Sequence, residues 1–321
     1  MKQDHLTLAL AQIAPVWLNR EKTLEKILAY TADGAEQGAE LVVFGESLLP
    51  GYPFWVELTD GARFNSAVQK DIHAHYMANS VNVTRGDLDD LCRLAKDKQV
   101  SVYLGTIERP DDRGGHSLYC SLIYIDQSGT IQSVHRKLMP TYEERLTWSP
   151  GDGHGLVTHK LGPFTVGGLN CWENWMPLPR VALQSQGEDL HISVWPGHLR
   201  NTVDITRYMA LEGRSYVVAV SGLMRKSDFP ADTPHVDLIL ENSPELLSNG
   251  GSCLAAPDGN WVIDPHENVG EETLKLATID HQLVRAERQN FDPSGHYSRP
   301  DVTRLVLNRK RQSILDLEID D

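Results

Sequence analysis

Leu6, Leu8 and Leu10 occupy alternate positions on the way to Ile13, the pattern of a strand with one face buried. Asn19, a helix-capping residue type, precedes apolar positions at Leu24, Ile27, Leu28 and Ala35, and this spacing predicts an amphipathic helix stopped by Gly38. The run Leu41-Val42-Val43-Phe44, closed by Gly45-Glu46, reads as a parallel strand buried on both faces. Residues 87–98 form a second helical segment with Leu88, Leu91, Leu94 and Ala95 inward, and 100–107 a further strand. Strands at 118–125 and 130–136 flank Asp126-Gln127-Ser128-Gly129, a hairpin signal.

The second half repeats this order. Strands are expected at 164–169, 190–195 and 216–220, helices at 177–186 and 202–212, and a hairpin where 253–256 and 261–263 flank Pro257-Asp258-Gly259-Asn260. Two halves built alike can each cover one sheet face with helices and bury the other against its counterpart, so the pattern predicts an α/β fold, a four-layer α-β-β-α sandwich. On pattern alone, a doubly wound three-layer sheet stays open. The sandwich is expected as a single domain over residues 1–285, followed by a polar C-terminal arm, 286–321, at a subunit interface. Residues 47–84 and 224–249 fit no core element, and loops of that length in a compact domain are functional lids, interface elements or disorder.

The 321 residues carry 30 basic and 44 acidic side chains, a net charge of −14 that disfavours nucleic acid and anionic lipid as partners. The amino-terminal residues lead directly into the alternating leucines, without the apolar stretch of a signal peptide, and no apolar run reaches the ~18–20 residues of a membrane span. The four cysteines are scattered and form no C-x-x-C pair, so a reducing, cytoplasmic setting is expected rather than a disulfide framework or zinc ribbon.

Three strand ends carry chemistry. Cys171 follows Gly167-Gly168-Leu169-Asn170 and precedes a helix, a turn where a thiol is exposed and a helix N-terminus favours the thiolate. Glu46 ends an apolar strand, at the sheet edge where open α/β sheets bind ligands, and apolar walls there raise a carboxylate's pKa toward that of a general base. Lys137 ends the strand at 130–136. Singly, each has an ordinary explanation: a buried structural cysteine, a solvated glutamate, a surface lysine. Together they supply nucleophile, base and cation for acyl-type chemistry. Two weaker patterns lead elsewhere: His73-x-His75 on a helix would point its rings apart, which is poor metal-ligand geometry, and Gly151-Asp152-Gly153 does not open a helix as a dinucleotide fingerprint must.

Gly45-Glu46 with Pro50-Gly51-Tyr52-Pro53, His135-Arg136-Lys137-Leu138-Met139-Pro140-Thr141 continuing through Glu144-Arg145 to Trp148 and Gly151-Asp152-Gly153, and Gly168-Leu169-Asn170-Cys171-Trp172-Glu173-Asn174-Trp175-Met176-Pro177 resemble the three motifs of the nitrilase (carbon–nitrogen hydrolase) superfamily, in order and spacing. Cys-Trp-Glu-Asn resembles the nitrilase branch in particular, as does Gly295-His296-Tyr297-Ser298-Arg299-Pro300-Asp301. The resemblance implies the α-β-β-α fold and hydrolysis of organic nitriles to carboxylic acid and ammonia through a cysteine thioimidate and thioester. Glu46, Lys137 and Cys171 would be catalytic, with Glu144 as second glutamate. It implies no metal or organic cofactor, and a homodimer or larger spiral homo-oligomer. Tyr52, Trp55, Trp172 and His198 are expected to meet the substrate. An amidase, a cyanide-degrading relative, or a non-catalytic assembly protein that kept the fold are the alternatives.

Overall fold

The computed structural model describes residues 4–267 and 269–315; the start of the expected domain and positions 316–321 of the expected arm lie outside these. Two six-stranded sheets form the core. In the first, β1 (His5–Gln12), β2 (Leu41–Phe44) and β3 (Ser101–Glu108) run parallel, and β4 (Tyr119–Ile125) and β5 (Ile131–Arg136) extend the sheet antiparallel. In the second, β6 (His159–Leu161) flanks the parallel set β7 (Phe164–Asn170), β8 (Leu190–Trp195) and β9 (Tyr216–Ser221). After a two-stranded ribbon, β10 (Leu223–Arg225) with β11 (Leu246–Asn249), the antiparallel strands β12 (Cys253–Ala255) and β13 (Trp261–Ile263) complete it. The expected echo between halves is therefore present strand for strand.

Each half also gains an antiparallel edge strand. β6 lies beside β7, and β14 (Thr273–Asp280) pairs with β1 over its whole length, from His5 opposite Asp280 to Gln12 opposite Thr273.

Alternation explains the layers. Leu6, Leu8, Leu10, Leu41 and Val43 of the first sheet meet Val166, Ile192, Val194, Val218 and Val220 of the second in one buried cluster between the sheets. The opposite face of the first sheet, through Ala9, Ala11, Val42 and Phe44, packs against Ile27 of α1 (Arg20–Glu36). On the second sheet Trp195, Val217 and Ala219 pack against Ile205, Met209 and Ala210 of α6, whose range is Leu199–Gly213. This is the four-layer α-β-β-α order, and it removes the doubly wound alternative.

The segments without expected elements hold short helices and, in 224–249, the strands of the two-stranded ribbon. Residues 47–84 contain α2 (Trp55–Leu58) and α3 (Ala67–Asn79); α4 (Asp89–Lys98) follows, α5 (Pro177–Gln184) comes after β7, and 224–249 holds α7 (Val236–Asn242). Within α3 only Ile72 and Tyr76 are buried, one i, i+4 pair on a polar helix, too narrow a stripe to register as periodicity. The boundary expected at 285/286 falls inside α8 (His281–Arg288), and part of the arm lies on its own sandwich: Arg311 pairs with Asp152 at 3.0 Å, and Leu305 and Leu307 pack beside Leu156.

Gly105 on β3 lets that strand pass the Glu46 turn, since a Cβ there would lie 2.1 Å from the Gly45 carbonyl oxygen and 2.6 Å from Glu46 Cα. Both are backbone atoms with nowhere to go. Gly105→Ala is therefore expected to lower unfolding free energy by about 3 kcal/mol, measured by urea melts.

Candidate active site

Strand ends deliver the chemistry to one place. Glu46 follows β2, Lys137 follows β5 and Cys171 follows β7, so two functional groups come from one sheet and the third from the other. Lys137 Nζ lies 2.9 Å from Glu46 Oε1 and 2.7 Å from Glu144 Oε2, with all three side chains buried. Acceptor atoms of Glu46, Glu144 and Cys171 lie within 4.8 Å of one another. That acid-rich trio has ligand-type atoms, and the Lys137 ammonium is the cation paired with two of its members.

Electrostatics divide the roles. Burial raises the Glu46 carboxyl to about 7 against the pull of Lys137, while the nearby Glu144 pushes in the same direction as burial. Lys137 meets the Glu46 carboxylate on Oε1, and Oε2 has no ion-pair partner, which leaves an acceptor for a proton. Burial disfavours charge on Lys137, but the acidic groups of Cys171, Glu46 and Glu144 outweigh it and keep the ammonium protonated well above the ordinary lysine range. Its charge also sits 5.5 Å from the centre of the Trp148 ring.

Cys171 differs from the expectation of an exposed, thiolate-favouring turn. It is 2 % exposed, and burial pushes its thiol well above the usual range despite Lys137 and the Trp172 N–H. The helix that follows at once is only a five-residue 3-10 turn, Cys171–Trp175, with α5 beginning later. Such a thiol requires a base to ionise it. Its φ of +48° is a strained, left-handed backbone for a residue with a Cβ. Asn174 braces the turn by donating Nδ2–H to the Cys171 carbonyl at 2.8 Å, and its Oδ1 meets His191 Nε2 at 2.8 Å.

Glu144 lies on the 3-10 turn Tyr142–Leu146, where its Oε2 accepts the Thr141 N–H at 2.6 Å as well as Lys137. Tyr52 donates its hydroxyl to Glu143 at 2.8 Å and reaches Glu144 at 3.2 Å. Gly151, part of the Gly151-Asp152-Gly153 pattern, donates to the Lys137 carbonyl at 2.7 Å and approaches so closely that a Cβ would lie 2.1 Å from Arg136 O. The glycine supports the lysine strand, which accounts for the pattern without a nucleotide.

A cavity of about 900 Å³ opens above these groups and is lined by Tyr52, Phe54, Glu144, Cys171, Trp172 and His198 among others. Trp55 is elsewhere. It is 1 % exposed, edge-on to Tyr76 at 4.7 Å and to Trp17 at 6.1 Å, in the aromatic core that supports the cavity. One turn of α2 separates the two fates: Phe54 and Leu58 face the cavity, and Trp55 faces inward. Sequence reasoning missed Thr141, Arg200, Asn242 and Leu247, which also line the cavity. The last two come from 224–249, and no local pattern announces such contacts. It also missed Cys120, whose carbonyl accepts the Lys137 N–H at 2.7 Å. His73, of the His-x-His pair, meets Thr147 at 3.3 Å.

Residues 7–289 match the carbon–nitrogen hydrolase family. The chain is 35% identical to a protein called Nitrilase 2 from an unknown prokaryotic organism, over 98% of both chains. It is 31% identical to an aliphatic nitrilase of Rhodococcus rhodochrous, covering 95% of this chain and 80% of that one. Among solved structures, the C. elegans NitFhit protein superposes with a TM-score of 0.70 at 17% identity, over 98% of this chain and 70% of that chain, a likeness of fold. The chain belongs to the carbon–nitrogen hydrolase family, on its nitrilase branch.

Proposed function

We propose that the protein hydrolyses organic nitriles to carboxylic acids and ammonia, with Cys171 as nucleophile. The observation that carries this reading is the buried Glu46, Lys137, Glu144 and Cys171 group at the cavity, in a chain whose relatives are named nitrilases.

Glu46 takes the Cys171 proton and the sulfur attacks the nitrile carbon, forming the C–S bond of a thioimidate. Lys137 and the Trp172 N–H stabilise the nitrogen as it becomes negative, and Glu46 returns the proton to it. Water, deprotonated by Glu46, adds to the same carbon. Glu46 passes that water proton to the nitrogen, and the tetrahedral intermediate then collapses to a thioester as the hydroxyl proton moves to the nitrogen, the C–N bond breaks and ammonia leaves. A second water, again activated by Glu46, cleaves the C–S bond and frees the acid and the Cys171 thiol. Glu144 holds Lys137 in place.

Tyr52 and Trp172 on the cavity wall favour an apolar group on the nitrile, and His198 lines the same cavity. Assembly into a homodimer or longer spiral is supported by the exposed apolar side chains Leu178, Val181, Tyr208 and Leu211 on the outer faces of α5 and α6. Four free cysteines suit a reducing, cytoplasmic compartment, and among the described residues no helix is long and apolar enough to cross a membrane.

Incubation with aromatic, arylacetic and aliphatic nitriles, with ammonia, acid and amide quantified separately, tests the assignment. Ammonia and acid in equal amounts are expected from at least one class; release from amides alone would overturn it. Activity should also follow Glu46. The reactive form pairs ionised Glu46 with neutral Cys171, so kcat/KM is expected to fall about tenfold per pH unit below about 7, with no loss on the alkaline side until well above that. A profile flat from pH 5 to 8 would remove Glu46 from the role of base.

A further inference from the structure

Two of the groups the reaction needs come from different sheets. Lys137 extends β5 of the first and Cys171 extends β7 of the second. The sheets meet mainly through aliphatic side chains, a contact that is strong but non-directional and resists small slides poorly. A backbone bond between them at the site, Glu46 N–H to the Trp195 carbonyl, is 3.3 Å long. Rate depends steeply on the distance from sulfur to cation, so something more directional is needed here.

Glu173 is placed to provide it. It is 1 % exposed and takes no part in the proton transfers above. Its Oε1 accepts the Leu138 N–H at 2.6 Å, one residue after Lys137. Its Oε2 accepts the Asn170 N–H at 2.8 Å, one residue before Cys171. His135 Nε2 faces both oxygens, at 3.2 and 3.1 Å. Burial opposes its ionisation, yet His135 and the two backbone N–H groups hold Glu173 below the ordinary carboxylate range, so it remains an anion where Glu46 alternates. Short bonds from N–H groups to an ionised carboxylate are among the stronger and more directional in a protein interior.

We propose that Glu173 is a positioning residue that fixes nucleophile and cation relative to each other, one carboxylate oxygen gripping the backbone beside Lys137 and the other the backbone beside Cys171. The assignment rests on the nitrile-hydrolase reading for its kinetic consequence, though the clamp itself is a matter of geometry. A planar carboxylate with two acceptors spans both sheets. An amide presents only one acceptor oxygen and turns an NH₂ toward one of the N–H groups, while aspartate keeps the charge but is a methylene too short to reach both.

The test uses the full-length protein and Glu173→Gln, Glu173→Asp and His135→Gln variants, with two readouts. The first is kcat and KM on whichever nitrile the wild type hydrolyses. The second is the rate at which iodoacetamide alkylates Cys171 between pH 6 and 9, followed by intact mass; it needs no nitrile, so it reports on the clamp even if the functional reading fails. For folded Glu173→Gln and Glu173→Asp, kcat is expected to fall about 100-fold with KM within about threefold, because a shift of about 1 Å at the reacting groups costs that much. The pH dependence of alkylation is expected to change in both. His135→Gln, which leaves both backbone bonds to Glu173, is expected to lose less than about tenfold. Folded Glu173 variants with wild-type kcat and wild-type alkylation would overturn the proposal. So would failure of both Glu173 variants to fold alongside a fully wild-type His135→Gln, which would assign Glu173 to the fold alone.

Discussion

Cys171→Ala is expected to abolish turnover, lowering kcat by ~10,000-fold or more, because removing the nucleophile of a covalent route removes every later step with it. The fold should survive. The sulfur meets the Trp172 N–H, but the turn is held independently of it, by Asn174 at the Cys171 carbonyl and by Glu173 at the Asn170 N–H. Alanine keeps the Cβ and with it the strain of the left-handed φ of +48°. Glycine relieves that strain, so Cys171→Gly is expected to be equally inactive yet about 1 kcal/mol more stable than Cys171→Ala. Ammonia assays and urea denaturation of the pair would check both halves. Equal stability of the two variants would mean that the turn stores no strain.

Lys137→Met is expected to damage stability and activity together. It leaves Glu46 and Glu144 buried with no cation between them, and breaking one partner out of a buried ion group costs about 3–5 kcal/mol. The loss should depend on pH with a definite sign. Lys137 is what lowers the Glu46 carboxyl; without it, burial and Glu144 both push upward, so the folded pKa moves above about 7. The folded variant then binds a proton that the unfolded chain, with an ordinary carboxyl, releases. Stability of Lys137→Met relative to wild type is therefore lowest at pH 8 and recovers as pH falls through that raised value toward 5. Urea melts at pH 5.5 and 8 read the difference directly; a penalty independent of pH would contradict the paired-charge description. Activity should fall about 1,000-fold, the scale of losing a preorganised charge at the developing negative nitrogen.

Much of the layout was legible because the signals are local. Period-two leucines, an apolar run ending in Gly45-Glu46 and paired hairpin turns each report on the residues that carry them, and the three strand ends followed. What escaped is set by distant partners. Trp55 looks like a cavity aromatic among Tyr52 and Phe54 until one sees that Tyr76 and Trp17, far along the chain, surround it. Cys171 sits at the turn expected of a nucleophile, but burial, seconded by the carboxylates of Glu46 and Glu144, reverses the expected effect on its thiol. β14 was overlooked although it alternates, because its register is fixed by β1 across almost the whole chain. Glu173 lies in plain view inside a quoted motif, and only the approach of Leu138 from the other sheet gives it a role.

Rapid mixing of the protein with a hydrolysed nitrile, acid quenching and intact-mass measurement tests the central claim most directly. The expected result is a mass increase equal to the imidate or acyl group, mapped to Cys171, formed no more slowly than ammonia is released and absent from Cys171→Ala. Ammonia release at the wild-type rate with no adduct on Cys171, or with Cys171→Ala still turning over, would contradict covalent catalysis by this residue.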